Sequence, residues 1–333
     1  MANVDYTEFD QEIWDRELED FVPPVVYDMH THIWSEAHRR DDEKVKPGGL
    51  RLEIDYQDHL DWAAKLYPGR EMHYLVLGTP VLGLDLEAHN DWMAAELKAD
   101  SKSRGHMLVT PNESPDYVSE QVRKHNFLGL KCYRTFAPDR THCRIRDFLP
   151  EALIEVANDL GLSVTLHMSK PTGPADPDNQ RDLKRYTKEY PNVQWILAHC
   201  ARGFNAFFLE ESIEFYKDLP NIWYDTSAVN DIVSHFLLMK HEDRNRVMFG
   251  SDNIVAGCVR GKYITYGKAW EYFKGFPELE HCDPTATFVI YEQLRQERHV
   301  ADMLGLTQQE IEDHFSGNAI RFLETVERLR GSK

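Results

Sequence analysis

The sequence of 333 residues contains no uninterrupted apolar run of about 20 residues, the length that a transmembrane helix needs. Its first residues are acidic and lack the basic and apolar regions of a secretory signal peptide. The five cysteines are scattered and form no Cys-x-x-Cys pair, which favours reduced thiols over a disulfide framework. We therefore expect a cytoplasmic protein that does not enter a membrane.

Positive charge is also scarce. The sequence has 38 Lys and Arg against 56 Asp and Glu, which gives a formal net charge of −18. Nucleic-acid binding needs a basic surface, so we do not expect a nucleic-acid partner. No glycine-rich phosphate loop follows the later predicted strands, which argues against a flavin-binding or phosphate-binding barrel enzyme.

Short apolar runs alternate with segments of helical spacing along most of the chain. Eight runs rich in β-branched or aromatic residues cover 25–30, 73–79, 106–110, 128–133, 163–167, 193–199, 222–226 and 246–250. Most are almost continuously apolar, which is typical of parallel strands buried on both faces. Eight is also the number of β/α units that closes a barrel. The sequence predicts an α/β fold, a (β/α)8 TIM barrel that forms one domain over residues 1–333.

Three segments depart from a minimal barrel. A long loop is expected after the first strand, over residues 33–70, with a helix around Tyr56–Leu66. Residues 168–180 are rich in Pro, Gly and Asp, and we expect them to be irregular. The residues after Asp252 predict a C-terminal extension that is helical in large part.

The active site of such a barrel lies at the carboxyl ends of its strands. Five of the eight predicted strands contain or end in a group that can bind a metal or transfer a proton: His30 with His32, Lys131, His167, His199 and Asp252. Residues two apart on a strand point to the same side, so His30 and His32 can bind one ion. Imidazole and carboxylate together suit a transition metal, and three histidines with one aspartate leave a coordination position open.

Six motifs in this order carry a resemblance to a known family: DMHTHIW at 28–34, GLK at 129–131, LHMSK at 166–170, LAHCARGF at 197–204, MFGSDN at 248–253 and GNAIRFL at 317–323. The chain resembles the amidohydrolase superfamily, and most closely its amidohydrolase-2 branch. That branch includes aminocarboxymuconate-semialdehyde decarboxylase, resorcylate-type decarboxylases and small-molecule hydrolases. The resemblance implies a metal-dependent enzyme, and related barrels often form homodimers.

The same resemblance implies a role for each matching residue. His30, His32, His167 and Asp252 would bind one divalent metal ion, with zinc preferred to manganese. His199 would be a catalytic side chain beside that ion. The alternative is a pair of metal ions that a carboxylated Lys131 bridges, in which case His199 becomes a ligand.

Basic residues cluster near the predicted strand ends, although the chain as a whole is acidic. Lys131, Arg134, Lys170 and Arg202 lie at or just beyond these ends. Arg binds carboxylates through two directed hydrogen bonds, so we expect a small anionic substrate that bears a carboxylate. The alternative is that some of these cations pair with acidic residues of neighbouring loops. Trp34 follows the two histidines and either lines the pocket or packs in the core.

These residues predict a hydrolase of a small lactone, ester or amide that carries a carboxylate. Asp252 would accept a proton from the attacking water, and His199 would stabilise the oxyanion or protonate the leaving group. The alternative is a non-oxidative decarboxylase of a hydroxyaromatic or muconic-type acid, in which the same two residues deliver a proton to carbon. A third hypothesis is a catalytically inactive barrel that serves as a binding module, but the complete ligand set argues against it.

Overall fold

The structure is a computed structural model that describes residues 5–40, 53–253, 257–273 and 281–332. Its strands are β1 Val25–Ser35, β2 Glu53–Ile54, β3 Glu71–Gly78, β4 Arg104–Leu108, β5 Gly129–Cys132, β6 Ser163–Leu166, β7 Gln194–Leu197, β8 Ile222–Asp225, β9 Val247–Met248, β10 Lys262–Tyr266 and β11 Ala269–Phe273. From β1 to β9 the strands are arranged in the sheet in the same order as in the chain, except that β2 lies at the edge beside β1.

The helices alternate with these strands. They are α1 Glu8–Ile13, α2 Tyr56–Leu66, α3 Leu86–Glu96, α4 Pro115–His125, α5 Ile145–Phe148, α6 Glu151–Asp159, α7 Pro177–Glu189, α8 Ala198–Arg202, α9 Ala206–Glu210, α10 Ile213–Tyr216, α11 Ile232–His241, α12 Val289–Leu304, α13 Gln308–Glu312 and α14 Asn318–Gly331. Short 3₁₀ turns cover Glu36–His38, Leu97–Ala99, Arg134–Phe136, Gly173–Ala175 and Arg244–Arg246, and π turns cover Trp14–Leu18 and Asp313–Gly317. Within the described ranges, no helix is long and apolar enough to span a bilayer.

Eight of the strands form the parallel sheet that the sequence predicts. The order in the sheet is β2-β1-β3-β4-β5-β6-β7-β8-β9, and only β2 is antiparallel to its neighbour. The far edge returns to β1, because Met29 N donates to Phe249 O at 2.9 Å and His32 N donates to Asn253 O at 2.6 Å. These bonds join the two edges, which confirms the predicted TIM barrel.

The core has two parts, one on each side of the barrel wall. The larger apolar cluster packs between the sheet and the surrounding helices, and the smaller one includes residues inside the barrel such as Met29, Leu77 and Met248. Phe322 and Val326 of α14 belong to this smaller cluster and are fully buried. Helix α14 therefore packs against the barrel, and burying each such side chain stabilises the fold by about 1.5–3 kcal/mol.

Local capping decides where two helices begin. Asp55 accepts a hydrogen bond from Asp58 N at 2.8 Å and Asp58 accepts one from Asp55 N at 3.3 Å, so α2 spans the predicted residues. The expectation of an irregular 168–180 is wrong from Pro177 onward, where α7 begins with Asp176 as its N-cap. The Asp and Pro that suggest a loop are also the preferred residues of a helix start. Of the long loop after the first strand, residues 41–52 lie outside the described residues.

The C-terminal extension contains a hairpin as well as helices. Strands β10 and β11 pair antiparallel from Lys262 with Phe273 to Tyr266 with Ala269, and a tight turn at Gly267 joins them. The expectation of a mainly helical extension is confirmed from Val289 onward. We did not predict this hairpin from the sequence, although alternating residues around a glycine are the usual signal for a β-hairpin.

Candidate metal centre and active site

His30 lies on β1 and is held by a carboxylate from β8, which is separated from β1 by β9 in the closed barrel. Its Nδ1 lies 2.9 Å from Asp225 Oδ2, at the end of β8. This acceptor places the ring proton on Nδ1 and leaves the Nε2 lone pair free. Burial, followed by the positive charge of Lys131, lowers the pKa of His30 to about 3. His30 is therefore neutral, as a metal ligand must be.

His167 and His199 follow the same pattern with backbone acceptors. His167 Nδ1 lies 3.0 Å from Met168 O, and His199 Nδ1 lies 3.0 Å from Ser227 O. Each carbonyl can only accept, so the ring proton again lies on Nδ1 and Nε2 remains free. Burial, with the nearby charge of His199, holds the pKa of His167 well below its usual range. Three histidines from three strands thus share one tautomer.

Asp252 brings a carboxylate to the histidine pair of β1. Its Oδ1 lies 3.3 Å from His32 Nε2 and 3.7 Å from His30 Nε2. Donor atoms about 2 Å from one ion lie about 3–4 Å from each other, so these separations fit a shared metal. Burial raises the pKa of Asp252, but the bond with His32 and the charges of the neighbouring histidines hold it at about 2. The carboxylate is therefore ionised.

Asp225 belongs to a second close group but has its oxygens engaged elsewhere. Ligand atoms of His30, His199 and Asp225 lie within 4.8 Å of one another, as do those of His30, His32 and Asp252. However, Asp225 Oδ1 accepts bonds from His199 N at 3.0 Å and from both the backbone N at 3.1 Å and the hydroxyl of Ser227. Its other oxygen accepts from His30, so both oxygens of Asp225 are engaged in hydrogen bonds that hold two histidines. The sequence-based prediction omits this residue, although it ends a strand as the others do.

Asp28 has a comparable role at the base of the site. Its Oδ1 accepts bonds from His30 N at 3.1 Å and from Ser251 N at 2.9 Å, and its other oxygen accepts from the Ser251 hydroxyl. Burial raises the pKa of Asp28 to about 7. Asp28 therefore joins β1 to the residues just before Asp252, and we interpret it as an orienting residue.

His167 lies farther from the pair on β1 than the other candidates. The ring centroids of His30 and His199 are 4.8 Å apart, and those of His199 and His167 are 5.1 Å apart. Among the residues that the structure describes, His167 joins no group of three ligand atoms within 4.8 Å. The structure thus brings His30, His32 and Asp252 together closely and places His167 beside His199.

The backbone from His199 to Arg202 has an unusual left-handed conformation. The φ angles of its four residues are 60°, 51°, 58° and 66°, and this single turn is α8. Such a backbone costs about 1–2 kcal/mol for each residue other than glycine. It is held by the bond from His199 N to Asp225, and by Gly203 N, which donates to His199 O at 2.7 Å. The turn keeps His199 and Arg202 at the same end of the barrel.

Lys131 is fully buried beside the metal ligands. Its Nζ lies 3.4 Å from His30 Nε2. Burial lowers the pKa of Lys131, while the carboxylates of Asp252 and Asp225 act in the opposite direction. The lowered pKa reduces the repulsion that a protonated amine would exert on a cation at this site.

Arg134 and Arg202 have no acidic partner within the described residues. Arg202 is largely buried and donates to the Lys170 carbonyl, while its Nε has no hydrogen-bond partner there. Burial, followed by the charge of Arg134, lowers the pKa of Arg202 to about 10. Arg134 donates to Arg140 O at 2.8 Å, and its buried Nε also has no partner among the described residues. The two guanidinium groups repel each other, and no carboxylate of the described residues neutralises them.

For Lys170 and Trp34, the structure agrees with the second of the two roles that the sequence leaves open: pairing with acidic residues and packing in the core. The Lys170 ammonium is bonded to Asp178 and lies 3.6 Å from Asp176. Trp34 is buried in the main apolar cluster and pairs with Ile54 across the β1–β2 ladder. The structure therefore pairs Lys170 with local acids and packs Trp34 in the core.

Two aromatic residues that we did not predict lie against the histidines. The ring of Tyr133 is 4.7 Å from that of His167, and the ring of Phe204 is 5.1 Å from that of His199. Tyr133 follows Lys131 by two residues and Phe204 follows Arg202 by two residues. Their place within the GLKCYR and HCARGF segments is the signal that could have identified them.

Comparison with solved structures shows the same fold in enzymes of three activities. 4-Oxalomesaconate hydratase from Rhodopseudomonas palustris is 16% identical with a TM-score of 0.59, covering 92% of this chain and 98% of that one. A probable 2-pyrone-4,6-dicarboxylic acid hydrolase from Acinetobacter baumannii, with citric acid bound, is 11% identical with a TM-score of 0.56, covering 90% and 99%. 5-Carboxyvanillate decarboxylase from Novosphingobium aromaticivorans, with manganese and 4-hydroxy-3-methoxy-5-nitrobenzoic acid, is 11% identical with a TM-score of 0.57, covering 90% and 96%.

Family membership rests on the sequence itself. No curated relative matches the chain. The family model described as Amidohydrolase matches residues 27–325, which is most of the sequence and includes every strand of the barrel. The protein therefore belongs to the amidohydrolase family, whose members are metal-dependent enzymes.

Proposed function

We propose that the protein is a metal-dependent hydrolase that acts on a small substrate bearing a carboxylate. The observation that carries this proposal is the combination of two features at one end of the barrel. A set of neutral histidines and an ionised Asp252 can bind a divalent cation, and Arg134 and Arg202 lack an acidic partner among the described residues. The first feature supports the reaction, and the second supports the class of substrate.

The residues that would hold the ion are His30, His32, His167 and Asp252. Their nitrogen and oxygen donors suit zinc first and manganese second. The manganese in the decarboxylase structure supports the second choice. When bound, a divalent ion would polarise a carbonyl and lower the pKa of a water molecule toward neutrality. We favour one ion, and a second ion with a carboxylated Lys131 is the alternative.

Asp252 and His199 would manage the protons of hydrolysis. Asp252 is ionised, so it can accept a proton from the attacking water. The His199 ring is fixed through Nδ1 by the Ser227 carbonyl, which leaves Nε2 free to accept the proton released by the water; the ring protonated there can stabilise an oxyanion or give the proton to a leaving group. Asp225 supports both steps, because it holds the backbone of His199 and the ring of His30.

Arg202 and Arg134 would bind the substrate's carboxylate. Arg202 is largely buried and Arg134 is half-buried, so their charges repel each other, and an anion between them would relieve that repulsion. Each charge-assisted hydrogen bond contributes about 1.5–3 kcal/mol. Because Lys170 is neutralised by Asp178 and Asp176, we assign the anion to the two arginines.

The second candidate function is non-oxidative decarboxylation. It is favoured by the aromatic rings of Tyr133 and Phe204, which lie against His167 and His199 and suit a flat conjugated acid. The decarboxylase with the same fold was solved with a nitrobenzoic acid bound. In this reaction Asp252 or His199 would first take a proton from water or from a substrate hydroxyl and then pass it to the carbon that loses carbon dioxide.

The two candidates are separated by their products. The purified protein is analysed for bound metals and then supplied with a panel of carboxylated lactones and esters and a panel of hydroxybenzoic acids. Release of a new acid from the first panel supports hydrolysis, and release of carbon dioxide from the second supports decarboxylation. A protein that binds metal but turns over neither panel would favour the binding-module hypothesis, and a protein without metal would contradict both reactions.

A further inference from the structure

The β10–β11 hairpin lies against the residues that follow the left-handed turn. Asn205 is almost fully buried, and its Nδ2 donates to Gly267 O at 2.9 Å and to Ala269 O at 3.0 Å. Phe204 stacks on Trp270 with ring centroids 4.3 Å apart and an angle of 26° between the rings. The hairpin is therefore attached next to the segment that carries His199.

The two faces of the hairpin differ in their surroundings. Tyr263 lies 5.0 Å from Phe204 and 5.6 Å from Trp270, measured between ring centroids. Its backbone N donates to the buried Asn230 at 2.8 Å. Tyr266, three residues later on the same strand, is 59% exposed. One face of the hairpin thus contributes an aromatic cluster, and Tyr266 lies on its solvent-accessible part.

This aromatic cluster is continuous with the catalytic end of the barrel. Phe204 contacts both the hairpin and His199, and Trp270 lines a small cavity together with Arg202. Burial, followed by the charge of Asp252, raises the pKa of Tyr263. The Tyr263 side chain therefore lies within electrostatic range of Asp252. The Tyr263 hydroxyl forms no hydrogen bond with the described part of the chain.

A buried tyrosine or tryptophan usually directs its polar group to a partner, and its ring offers a flat apolar face. Here the rings of Tyr263, Phe204 and Trp270 extend from the hairpin to His199, and the phenol of Tyr263 forms no hydrogen bond with the described residues. These features complement a planar ligand that carries an oxygen substituent.

We propose that the β10–β11 hairpin determines specificity for a planar, oxygen-substituted ring in the substrate. Tyr263 and Trp270, with Phe204, would pack against the ring, and the Tyr263 hydroxyl would donate a hydrogen bond to its hydroxyl or carbonyl oxygen. The inference rests on the proposed function for the carboxylate, which Arg202 and Arg134 bind. The new feature is the assignment of the ring and its oxygen to Tyr263 and Trp270 of the hairpin.

Binding of three simple acids to the metal-loaded protein tests this proposal without requiring turnover. 2,6-Dihydroxybenzoate is planar and oxygen-substituted, benzoate is planar only, and cyclohexanecarboxylate is neither. Titration calorimetry should rank their affinities in that order. Tyr263→Phe should weaken only 2,6-dihydroxybenzoate, by about three- to tenfold, as expected for the loss of one neutral hydrogen bond. Trp270→Leu should weaken both aromatic acids by about fivefold and leave cyclohexanecarboxylate unchanged.

Tyr266→Phe is the matched control, because it makes the same chemical change on the exposed part of the same strand. It should change none of the affinities, and all three variants should keep the wild-type metal content and melting temperature. Equal affinities for the planar and puckered acids, absence of aromatic-acid binding, or identical effects of Tyr263→Phe and Tyr266→Phe would overturn the proposal. Hairpin-dependent binding without turnover of either substrate panel would retain this inference and reject the proposed function. Turnover that no hairpin variant affects would retain the proposed function and reject this inference.

Discussion

Two regions of the protein bring two histidines to a buried carboxylate. At the catalytic end of the barrel, His30 and His32 face Asp252. Between the helices, His235 of α11 and His314 face Glu297 of α12, with separations of 3.9 Å and 3.5 Å. The residue types are alike in both places, so any difference in their ability to bind a metal must come from the arrangement of the side chains.

The two regions differ in whether their lone pairs converge. The donor atoms of His30, His32 and Asp252 lie within 4.8 Å of one another, whereas those of His235, His314 and Glu297 form no such group in the described part of the chain. Neighbouring parallel strands end at one rim and aim their last side chains toward a common centre. In the helix region, His235 faces Oε1 and His314 faces Oε2 of Glu297, and Oε1 also accepts a bond from Gln293 at 3.0 Å. Convergence, rather than composition, distinguishes the candidate metal centre.

Replacing the carboxylate at the catalytic end should have the largest effect on activity. Asp252→Asn removes the only charged donor of the proposed set, so we expect loss of the metal and a fall in kcat/KM of at least about 10³-fold. This exceeds the 10–100-fold that loss of an orienting partner typically causes. Elemental analysis and kinetics measure the two effects. Full metal occupancy in Asp252→Asn would show that Asp252 is not a ligand.

His199→Asn should separate catalysis from metal binding. We expect kcat to fall by roughly 10²–10⁴-fold, the usual contribution of a general acid or base, while the metal content stays unchanged. His199→Asn that loses the metal would instead identify His199 as a ligand and favour the two-metal alternative. Mass spectrometry for a carboxyl group on Lys131 then provides an independent check.

Asp225→Asn tests the orienting role that the structure assigns to this residue. The amide can still accept from His30 Nδ1 but carries no charge, so we expect metal affinity to fall by about 10–100-fold. Competition with a chelator measures that affinity. An affinity equal to that of the wild-type protein would contradict the orienting role, and complete metal loss would indicate that Asp225 is itself a ligand.

Arg202→Met should act on substrate binding. The substitution keeps an unbranched apolar chain but removes the charge, so KM for an acidic substrate should rise about tenfold, which corresponds to about 1.4 kcal/mol. Metal content should remain constant. Lys170→Met is the matched control, because Lys170 is already paired with Asp178 and should affect KM much less. Similar KM values for all three proteins would argue against an anionic substrate.

The smallest effect on activity is expected from the helix region. Glu297→Gln should leave metal content and kcat unchanged and lower the free energy of unfolding by about 1–3 kcal/mol, because buried hydrogen bonds lose their charged acceptor. Burial raises the pKa of Glu297, but the charge of His314 and its hydrogen bond hold it below the ordinary value of 4.5. The contribution of the ionised form is therefore present above pH 4.5 and is lost as the pH falls through the lowered pKa.

Denaturant unfolding of both proteins, near neutral pH and in acid, measures this contribution. The difference between wild type and Glu297→Gln should shrink in acid. A difference in unfolding free energy that is independent of pH would contradict an ionised Glu297. Loss of metal from the variant would contradict the claim that only the catalytic end of the barrel contributes to metal binding.

The sequence by itself determined the barrel, the helix boundaries set by local caps, and the positions of the candidate ligands at strand ends. These features depend on patterns that repeat within a few residues. A strand buried on both faces needs a continuous apolar run, and α2 needs the reciprocal caps of Asp55 and Asp58. His30, His32, His199 and Asp252 could be found because each follows such a run.

Other features were decided only by the tertiary structure, because they depend on partners far away in the chain. Asp225 is an orienting residue because the closed barrel brings it to His30, 195 positions earlier. The left-handed turn of His199–Arg202 contains no glycine, so the sequence gives no signal for it. Hydrogen bonds with Asp225 and Gly203 stabilise its backbone. Lys170 and Arg202 look alike in the sequence, but folding gives an acidic partner to the first and withholds one from the second within the described residues. Charge pairing is a property of surroundings, and only the fold supplies them.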